Sequence, residues 1–134
     1  MEYKKQEVEK LYMDLLAAFD KGPQSVVSYF SEDAEILYPY ADLPVMNRQE
    51  YFEQLSGMLP FMIPFNNLGH RLYATDEPGT YWATLDIECS TPSTCKKYHQ
   101  QYVVRFCVNK DMKINRYFEY WNPLRFIKRI CRLN

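Results

Sequence analysis

The stretch Ile114–Leu124, INRYFEYWNPL, has the composition of the β-strand around which the rest of the fold is organised. β-branched and aromatic residues dominate it, and Pro123 ends it because proline cannot continue a hydrogen-bonded ladder. One carboxylate, Glu119, stands in its middle among aromatic side chains. If Glu119 faces the interior, desolvation raises its pKa towards the range that a proton-transfer group needs. If it faces solvent, it only balances Arg116, and the stretch alone leaves both interpretations open.

Size and composition predict a single globular domain over residues 1–134. The chain is long enough to bury a core, with 47% hydrophobic and 25% charged residues. Aromatic residues make up 16%, including 12 Tyr and 8 Phe. A buried tyrosine combines an apolar ring with a hydroxyl that needs a partner, which suits the wall of a pocket. The net charge of −1 gives no reason to expect a nucleic acid or a membrane as partner.

Several familiar chemical sites are missing from the sequence. The four cysteines show no CxxC spacing, and two histidines are too few for a recognisable zinc site, so we expect free thiols and no metal site. No GxSxG motif or glycine-rich phosphate loop occurs, so any catalysis is expected to be acid–base chemistry without a cofactor. The charged start MEYKKQEVEK has no secretory h-region, and no apolar run reaches the roughly 18 residues that span a bilayer. We therefore expect a cytoplasmic protein.

The first half of the chain predicts three helices and one strand. Apolar residues at helical spacing predict the first helix over about residues 3–20. Gly22-Pro23 ends it and opens a short second helix, whose buried side includes Phe30. Ala34–Tyr40 is interpreted as a strand. Asn47, with a glutamate three residues later, is typical of the start of a third helix, which Pro60 ends.

The second half predicts a β-meander. Its four strand-like runs are Leu68–Thr75, Thr80–Ser90, Lys97–Val108 and Met112–Trp121. Glu77–Thr80 has the proline and glycine that a type II turn prefers. Residues 60–65 are an apolar, proline-rich connection that we interpret as a rim or lid, and Leu124–Asn134 as a short amphipathic helix. Three helices followed by an antiparallel meander predict an α+β fold, in which a strongly curved sheet would enclose a pocket.

Motifs in a fixed order carry a family resemblance over about residues 11–126. They are Phe30–Glu35 (FSEDAE), Tyr38–Pro44 (YPYADLP), Tyr73–Pro78 (YATDEP), Lys113-Ile114 and Glu119–Leu124 (EYWNPL). Together they resemble the SnoaL-like branch of the nuclear-transport-factor-2-like superfamily, which includes ketosteroid isomerases, polyketide cyclases and phenazine-biosynthesis A/B proteins. Two departures are visible. Asn109–Asp111 replaces the usual Asp-Gly of the last hairpin, and Asn47-Arg48 stands where many relatives have a glycine.

The resemblance implies a curved antiparallel sheet packed against three helices, a cone-like shape with an apolar internal pocket, and a homodimer. Members of this superfamily include isomerases, cyclases, dehydratases, hydrolases and non-catalytic binders. The fold alone therefore does not determine the reaction.

Glu119 is the main candidate for catalysis, because the acidic residue of the closing motif faces the pocket in phenazine-type relatives. It would act as a general acid or base. Strand alternation then places Tyr117 and Trp121 on the same wall of the pocket. Tyr102, on the preceding strand, adds a hydroxyl if its face of the sheet is the concave one.

Two further catalytic candidates and two further binding candidates complete the predicted site. Asp42 stands near the position where ketosteroid isomerases carry their base, and Tyr38 and Tyr40 could donate hydrogen bonds to a substrate oxygen. The alternative is that Asp42 is an exposed loop residue. His70 could be the titrating group beside the rim, or a histidine with a purely structural role.

Three functions remain open at this point. The first is a cofactor-independent isomerase, cyclase or condensation-assisting enzyme acting on a small apolar cyclic metabolite with a carbonyl or carboxylate group. The second is a binding protein that holds an apolar ligand in the same pocket without turnover. The third is a dimerisation platform, which a pocket filled by its own aromatic side chains would favour.

Overall fold

The structure, a computed structural model, describes residues 4–62, 64–90 and 97–122. Its helices are α1 (Lys5–Ala18), α2 (Pro23–Val27) and α3 (Arg48–Met58). Its strands are β1 (Phe30–Leu37), β2 (Phe65–Ala74), β3 (Thr80–Ser90), β4 (Lys97–Val108) and β5 (Ile114–Tyr120), and short 3-10 turns span Pro39–Ala41 and Leu59–Phe61. The predicted helix over Leu124–Asn134 lies outside the described residues. In the described part of the chain, no helix is long and apolar enough to cross a membrane.

The five strands form one sheet in the order β1-β5-β4-β3-β2. The pairs from β2 to β5 are antiparallel, as the predicted meander requires. The pair β1·β5 is parallel, so the sheet is mixed rather than wholly antiparallel. The reason is that β5 returns beside β1 only after the chain has passed through α3 and the meander. As a result β5 is an inner strand, hydrogen-bonded on both sides, and the predicted α+β class is confirmed.

The first helix ends, and the second begins, where the sequence predicts. The helix α1 packs against the core through the buried side chains of Val8, Tyr12 and Leu15. Gly22 has a φ of 114°, a backbone conformation that favours glycine, and Pro23 occupies the first turn of α2. Phe30 does not belong to α2, contrary to the prediction. The helix ends at Val27, and Phe30 begins β1, where it pairs with β5.

The strand β1 runs from Phe30 to Leu37, earlier than the predicted Ala34–Tyr40. Pro39 explains the early end, because it opens a 3-10 turn that takes the following residues out of the sheet. The turn between β2 and β3 agrees with the prediction. The Thr80 amide donates to the Glu77 carbonyl at 3.1 Å, and Gly79 takes the positive φ of 81° that a type II turn needs.

The start of α3 is a complete capping box. The Asn47 side chain accepts a hydrogen bond from the Glu50 amide at 2.8 Å, and the Glu50 carboxylate accepts one from the Asn47 amide at 3.0 Å. Two backbone donors that the helix leaves without partners are thereby satisfied. The box fixes α3 so that Tyr51 and Leu55 point towards the sheet and are fully buried.

We expect Asn47→Ala to lower the free energy of unfolding by about 1 kcal/mol, because it removes the side-chain cap of α3. Urea unfolding followed by circular dichroism measures this difference. Gln49→Ala, an exposed change in the first turn of the same helix, serves as control. Equal stability of Asn47→Ala and the natural protein would contradict a contribution of the capping box.

Candidate active site

Glu119 lies on the face of β5 that packs against the helices. Tyr117 and Glu119 alternate inward on this strand, and Val104 of β4 lies directly opposite Glu119. All three are buried, and only 9% of the Glu119 surface is exposed. Of the two orientations that the sequence left open, the structure has the inward one.

The Glu119 side chain lines an internal cavity between the sheet and the helices. Four tyrosines share this cavity with it, namely Tyr38, Tyr51, Tyr102 and Tyr117. Two phenylalanines, two methionines, three leucines and one valine complete the described wall. The described wall thus contains one carboxyl group, four phenols and otherwise apolar side chains, with no lysine, arginine or histidine.

The cavity is small. Its volume is about 20 Å³, which is room for about one water molecule. A metabolite can therefore bind only if some of the side chains that fill this space move aside.

Burial raises the pKa of Glu119 from the ordinary 4.5 to about 7, and hydrogen bonding to the Tyr117 side chain partly opposes this rise. The cause is that a carboxylate loses its hydration in the apolar interior, where a basic partner is missing from the described wall. A carboxyl group with this pKa exists in both protonation states near neutral pH. It can therefore take up a proton or release one, as general acid–base catalysis requires.

The phenols of the cavity remain neutral donors. Burial, followed by the charge or hydrogen bonding of neighbouring groups including Glu119, raises the pKa of Tyr38, Tyr51, Tyr102 and Tyr117 well above 10. They differ in the partners that their protons have.

Tyr38 donates to Oε1 of Gln54 at 3.1 Å, and Tyr117 interacts with Glu119. Tyr102 interacts with Tyr98. The Tyr51 hydroxyl is buried. It lies near enough to the Tyr38 hydroxyl to affect its pKa, but among the described residues it makes no hydrogen bond of good geometry. Tyr51 is therefore the phenol with a proton available for a bound molecule.

Gln100 is a buried residue that sequence reasoning missed. It is 1% exposed, and its Nε2 donates to the Tyr98 hydroxyl and to the Asn122 carbonyl, both at 2.8 Å. Its Oε1 accepts from the Asn122 amide at 3.3 Å. These bonds attach the chain just beyond Glu119 to β4. A signal existed in the alternation of β4, which places Gln100 between two inward tyrosines.

The structure does not bring Asp42 or His70 to the cavity. Asp42 is exposed at the end of the 3-10 turn that follows β1, with a φ of 52°. His70 is exposed on β2, where its Nδ1 is 2.8 Å from Nδ2 of Asn67 and its ring meets the edge of Tyr12. The predicted roles of both residues remain predictions without support from their placement.

Tyr40 and Trp121 also lie outside the cavity wall, unlike Tyr38, Tyr117 and Tyr102. Tyr40 is 65% exposed and packs edge-on against Tyr120. The physical reason is the 3-10 turn at Pro39, which ends the alternation that would have aligned Tyr40 with Tyr38. Trp121 follows the last residue of β5, so strand alternation no longer controls it. It is partly buried against the Tyr38 ring, 5.9 Å between centroids.

His99 and Cys89 do not line the Glu119 cavity. His99 bonds to Asp86 on the solvent face of the sheet. Burial raises the pKa of Cys89 to about 12, which keeps that thiol neutral. Cys95 and Cys131 lie outside the described residues. In the described ranges, no group of three or more His, Cys, Asp or Glu side chains could hold a metal ion.

No protein-family model matches the sequence, and no curated protein matches it either. Solved structures do match. A proposed isomerase from Bacillus subtilis has a TM-score of 0.83 over 94% of each chain, at 18% identity. The pinacolase BvnE from Penicillium brevicompactum has a TM-score of 0.80 over 96% of this chain and 94% of its own, at 14% identity.

A proposed SnoaL-like polyketide cyclase from Shewanella denitrificans has a TM-score of 0.74 over 97% of this chain and 100% of its own, at 10% identity. Identities this low show a shared fold. The chain therefore has the SnoaL-like, nuclear-transport-factor-2-like fold that its motifs resemble, and that part of the resemblance is confirmed.

We expect the stability of the protein to depend on pH through Glu119. A carboxyl whose pKa is higher in the folded state stabilises the fold fully below the unfolded value of about 4.5, and this stabilisation is lost as pH rises through about 7. Between pH 5 and pH 8, the natural protein should lose between about 2 and 3 kcal/mol of unfolding free energy relative to Glu119→Gln.

Urea unfolding of both proteins at the two pH values measures this difference. Glu35→Gln, which removes an exposed carboxylate on the neighbouring strand β1, is the matched control and should track the natural protein. A constant difference between Glu119→Gln and the natural protein across this pH range would show that Glu119 is not desolvated.

Proposed function

We propose that this protein is an acid–base enzyme of the isomerase or cyclase type that works without a cofactor. Its substrate would be a small apolar cyclic metabolite with a carbonyl or carboxylate group. One observation carries the proposal: the Glu119 carboxyl is buried in an aromatic cavity, and its pKa is raised to about 7. Desolvated carboxyl groups with such a pKa are typical of proton-transfer sites.

Glu119 acts in this proposal as a base that returns its proton. The carboxylate removes a proton from the carbon next to the substrate carbonyl, and the C–H electron pair becomes the enolate π system. Glu119 is then neutral and the enolate oxygen carries the negative charge. In a β,γ-unsaturated carbonyl substrate the negative charge extends to the γ-carbon. Return of the same proton to that carbon moves the double bond into conjugation with the carbonyl group and restores the carboxylate.

Tyr51 is the donor that we assign to the enolate oxygen. It is fully buried, it lines the same cavity as Glu119, and its hydroxyl makes no hydrogen bond of good geometry among the described residues. A neutral phenol held in a dry site stabilises developing negative charge more strongly than water does. The high pKa of Tyr51, due to burial and to the charge of Glu119, keeps its proton in place for this role.

The solved structures of similar fold support the same class of reaction. They include a proposed isomerase, a pinacolase and a proposed polyketide cyclase. Because the sequence identities lie between 10% and 18%, these proteins support a class of chemistry and not a substrate.

Hydrogen–deuterium exchange at carbon tests the proposal without knowledge of the final product. A panel of neutral and carboxylate-bearing cyclic carbonyl compounds is first screened by thermal shift, since binding to the native state raises the melting temperature. Each hit is then incubated with the protein in D₂O, and exchange next to the carbonyl is followed by NMR.

The natural protein should catalyse exchange with a rate that rises with pH up to about 7 and is constant above it, because the ionised carboxyl is the base. Glu119→Gln should lower the rate at least about 100-fold, within the range that a general base contributes. Asp42→Asn and His70→Gln test the two other predicted catalytic residues, and their exposed positions lead us to expect unchanged rates. Exchange by Glu119→Gln at the natural rate would refute the proposal.

A binding protein without turnover and a dimerisation platform are the two non-catalytic candidates, and the small cavity favours the platform. With a volume of about 20 Å³, the cavity is nearly filled by its own side chains, several of them aromatic, so in a platform none of the compounds would bind. A binding protein gives a different result. In that case the thermal-shift hits would bind to Glu119→Gln as tightly as to the natural protein, and none of them would exchange.

A homodimer, implied by the family resemblance, is also proposed here. An outer aromatic patch on the solvent side of the sheet consists of Tyr40, Trp82, Val103 and Tyr120, and three of these are between 37% and 65% exposed. Trp82 stacks on Tyr120 across the sheet. Exposed apolar groups of this kind are typical of protein–protein contacts. The predicted cytoplasmic location is likewise a proposal.

We expect the natural protein to have twice the mass of one chain in light scattering. Trp82→Glu should reduce it to the mass of one chain, because a charge in the patch would be desolvated by dimerisation. Met13→Glu, at a 55% exposed position of α1, is the control and should leave the mass unchanged. A natural protein with the mass of one chain at all concentrations would refute the dimer.

A further inference from the structure

The cavity around Glu119 has a recognisable mouth. Of the described residues that line it, only Met58 and Phe65 are partly exposed, and the others are buried. Met58 is the last residue of α3, and Phe65 is the first residue of β2. The route from solvent to Glu119 along the described surface therefore passes beside these two side chains.

Phe65 is held from two directions. Its ring stacks on that of Phe19, with centroids 5.2 Å apart and an angle of 16° between the planes. Its amide donates to Oδ1 of Asp20 at 2.7 Å. Displacement of the Phe65 side chain would break the aromatic stack, and the hydrogen bond to Asp20 fixes the backbone that carries the ring.

Met58 packs against the core, and its one polar contact among the described residues is weak. Nε2 of Gln54 lies 3.6 Å from its sulfur, and a thioether is a weak acceptor. The methionine side chain is unbranched and adapts its shape easily. The same Gln54 accepts the hydrogen bond of Tyr38 through Oε1 at 3.1 Å. Gln54 therefore connects the side chain at the mouth with a phenol of the cavity wall.

We propose that Met58 is the gate of the Glu119 cavity, that Gln54 holds it closed, and that its side chain sets the rate and the size limit for molecules that reach Glu119. The proposal rests on the proposed function only in taking this cavity as the ligand site, and it is independent of whether Glu119 transfers a proton. Displacement of Met58 also supplies space that a cavity of about 20 Å³ lacks.

Access to the cavity can be measured with a thiol placed in its wall. Val104 is 1% exposed and lies opposite Glu119, and the tryptic peptide 98–105 around it contains no natural cysteine. In the Val104→Cys protein, the introduced thiol is allowed to react with methyl methanethiosulfonate, which is small and uncharged. Mass spectrometry of peptide 98–105 gives the rate of modification at this site alone.

Met58→Ala in this background should raise the modification rate about tenfold or more, because an open state that is only a minor population becomes the main one. Met58→Ile, with a stiff β-branched side chain, should lower the rate. Gln54→Glu keeps an acceptor for Tyr38 but removes the donor to the Met58 sulfur, so it should raise the rate as well.

Met62→Ala is the matched control. Met62 lines the same cavity but is 2% exposed, so its truncation removes a similar side chain and destabilises the fold without opening the mouth. The modification rate of the Met62→Ala protein should stay within about twofold of the rate of its Val104→Cys parent. This is less than the increase of about tenfold or more that we expect from Met58→Ala. Equal acceleration by Met58→Ala and Met62→Ala, or none by Met58→Ala, would overturn the gate.

The readout remains available if Val104→Cys fails to fold. Leu55→Cys places the thiol on the helix side of the cavity, and peptide 49–71 contains no natural cysteine. The same order of rates is expected there. None of these rates depends on turnover, so a failed gate and a failed catalytic proposal give different results.

Discussion

The desolvated carboxyl group of Glu119 is the constraint on which the site depends. A carboxylate buried without a basic partner is costly, and the protein compensates only in part, through a tyrosine hydroxyl and through protonation. A purely structural core would be more stable with an apolar residue at this position. The retained cost is understandable if the group exchanges protons with a bound molecule.

The fold holds this group in place from several directions. β5 is an inner strand with hydrogen bonds to β1 and β4, so Glu119 cannot turn outward without breaking the sheet. Gln100 secures the chain just beyond it. Opposite, the capped helix α3 presents Tyr51 to the same cavity. A rigid sheet and a capped helix thus face each other across the space in which chemistry would occur, and the flexible Met58 lies at its edge.

Much of the fold followed from local patterns. The alternation in Thr80–Ser90, the type II turn before it and the capping signature at Asn47 each depend on near neighbours in the chain, and each is present in the structure. The errors lie where distant parts of the chain decide. β1 begins at Phe30 because β5 is there to pair with it, and the parallel pairing follows from the path of the whole chain.

The sequence by itself determined the elements, their order, and a glutamate among aromatic residues on one strand. Periodicity contains this information, because it depends on contacts between residues close in sequence. Only the tertiary structure decided which face of β5 is buried, and that Tyr38, Tyr51, Tyr102 and Tyr117 meet Glu119 while Asp42, His70 and Tyr40 do not. It also revealed that the Tyr51 hydroxyl makes no well-formed hydrogen bond in the described part of the chain, and that Met58 lies at the mouth of the cavity. Burial and hydrogen-bond partners are properties of residues brought together from distant segments, and no local pattern encodes them.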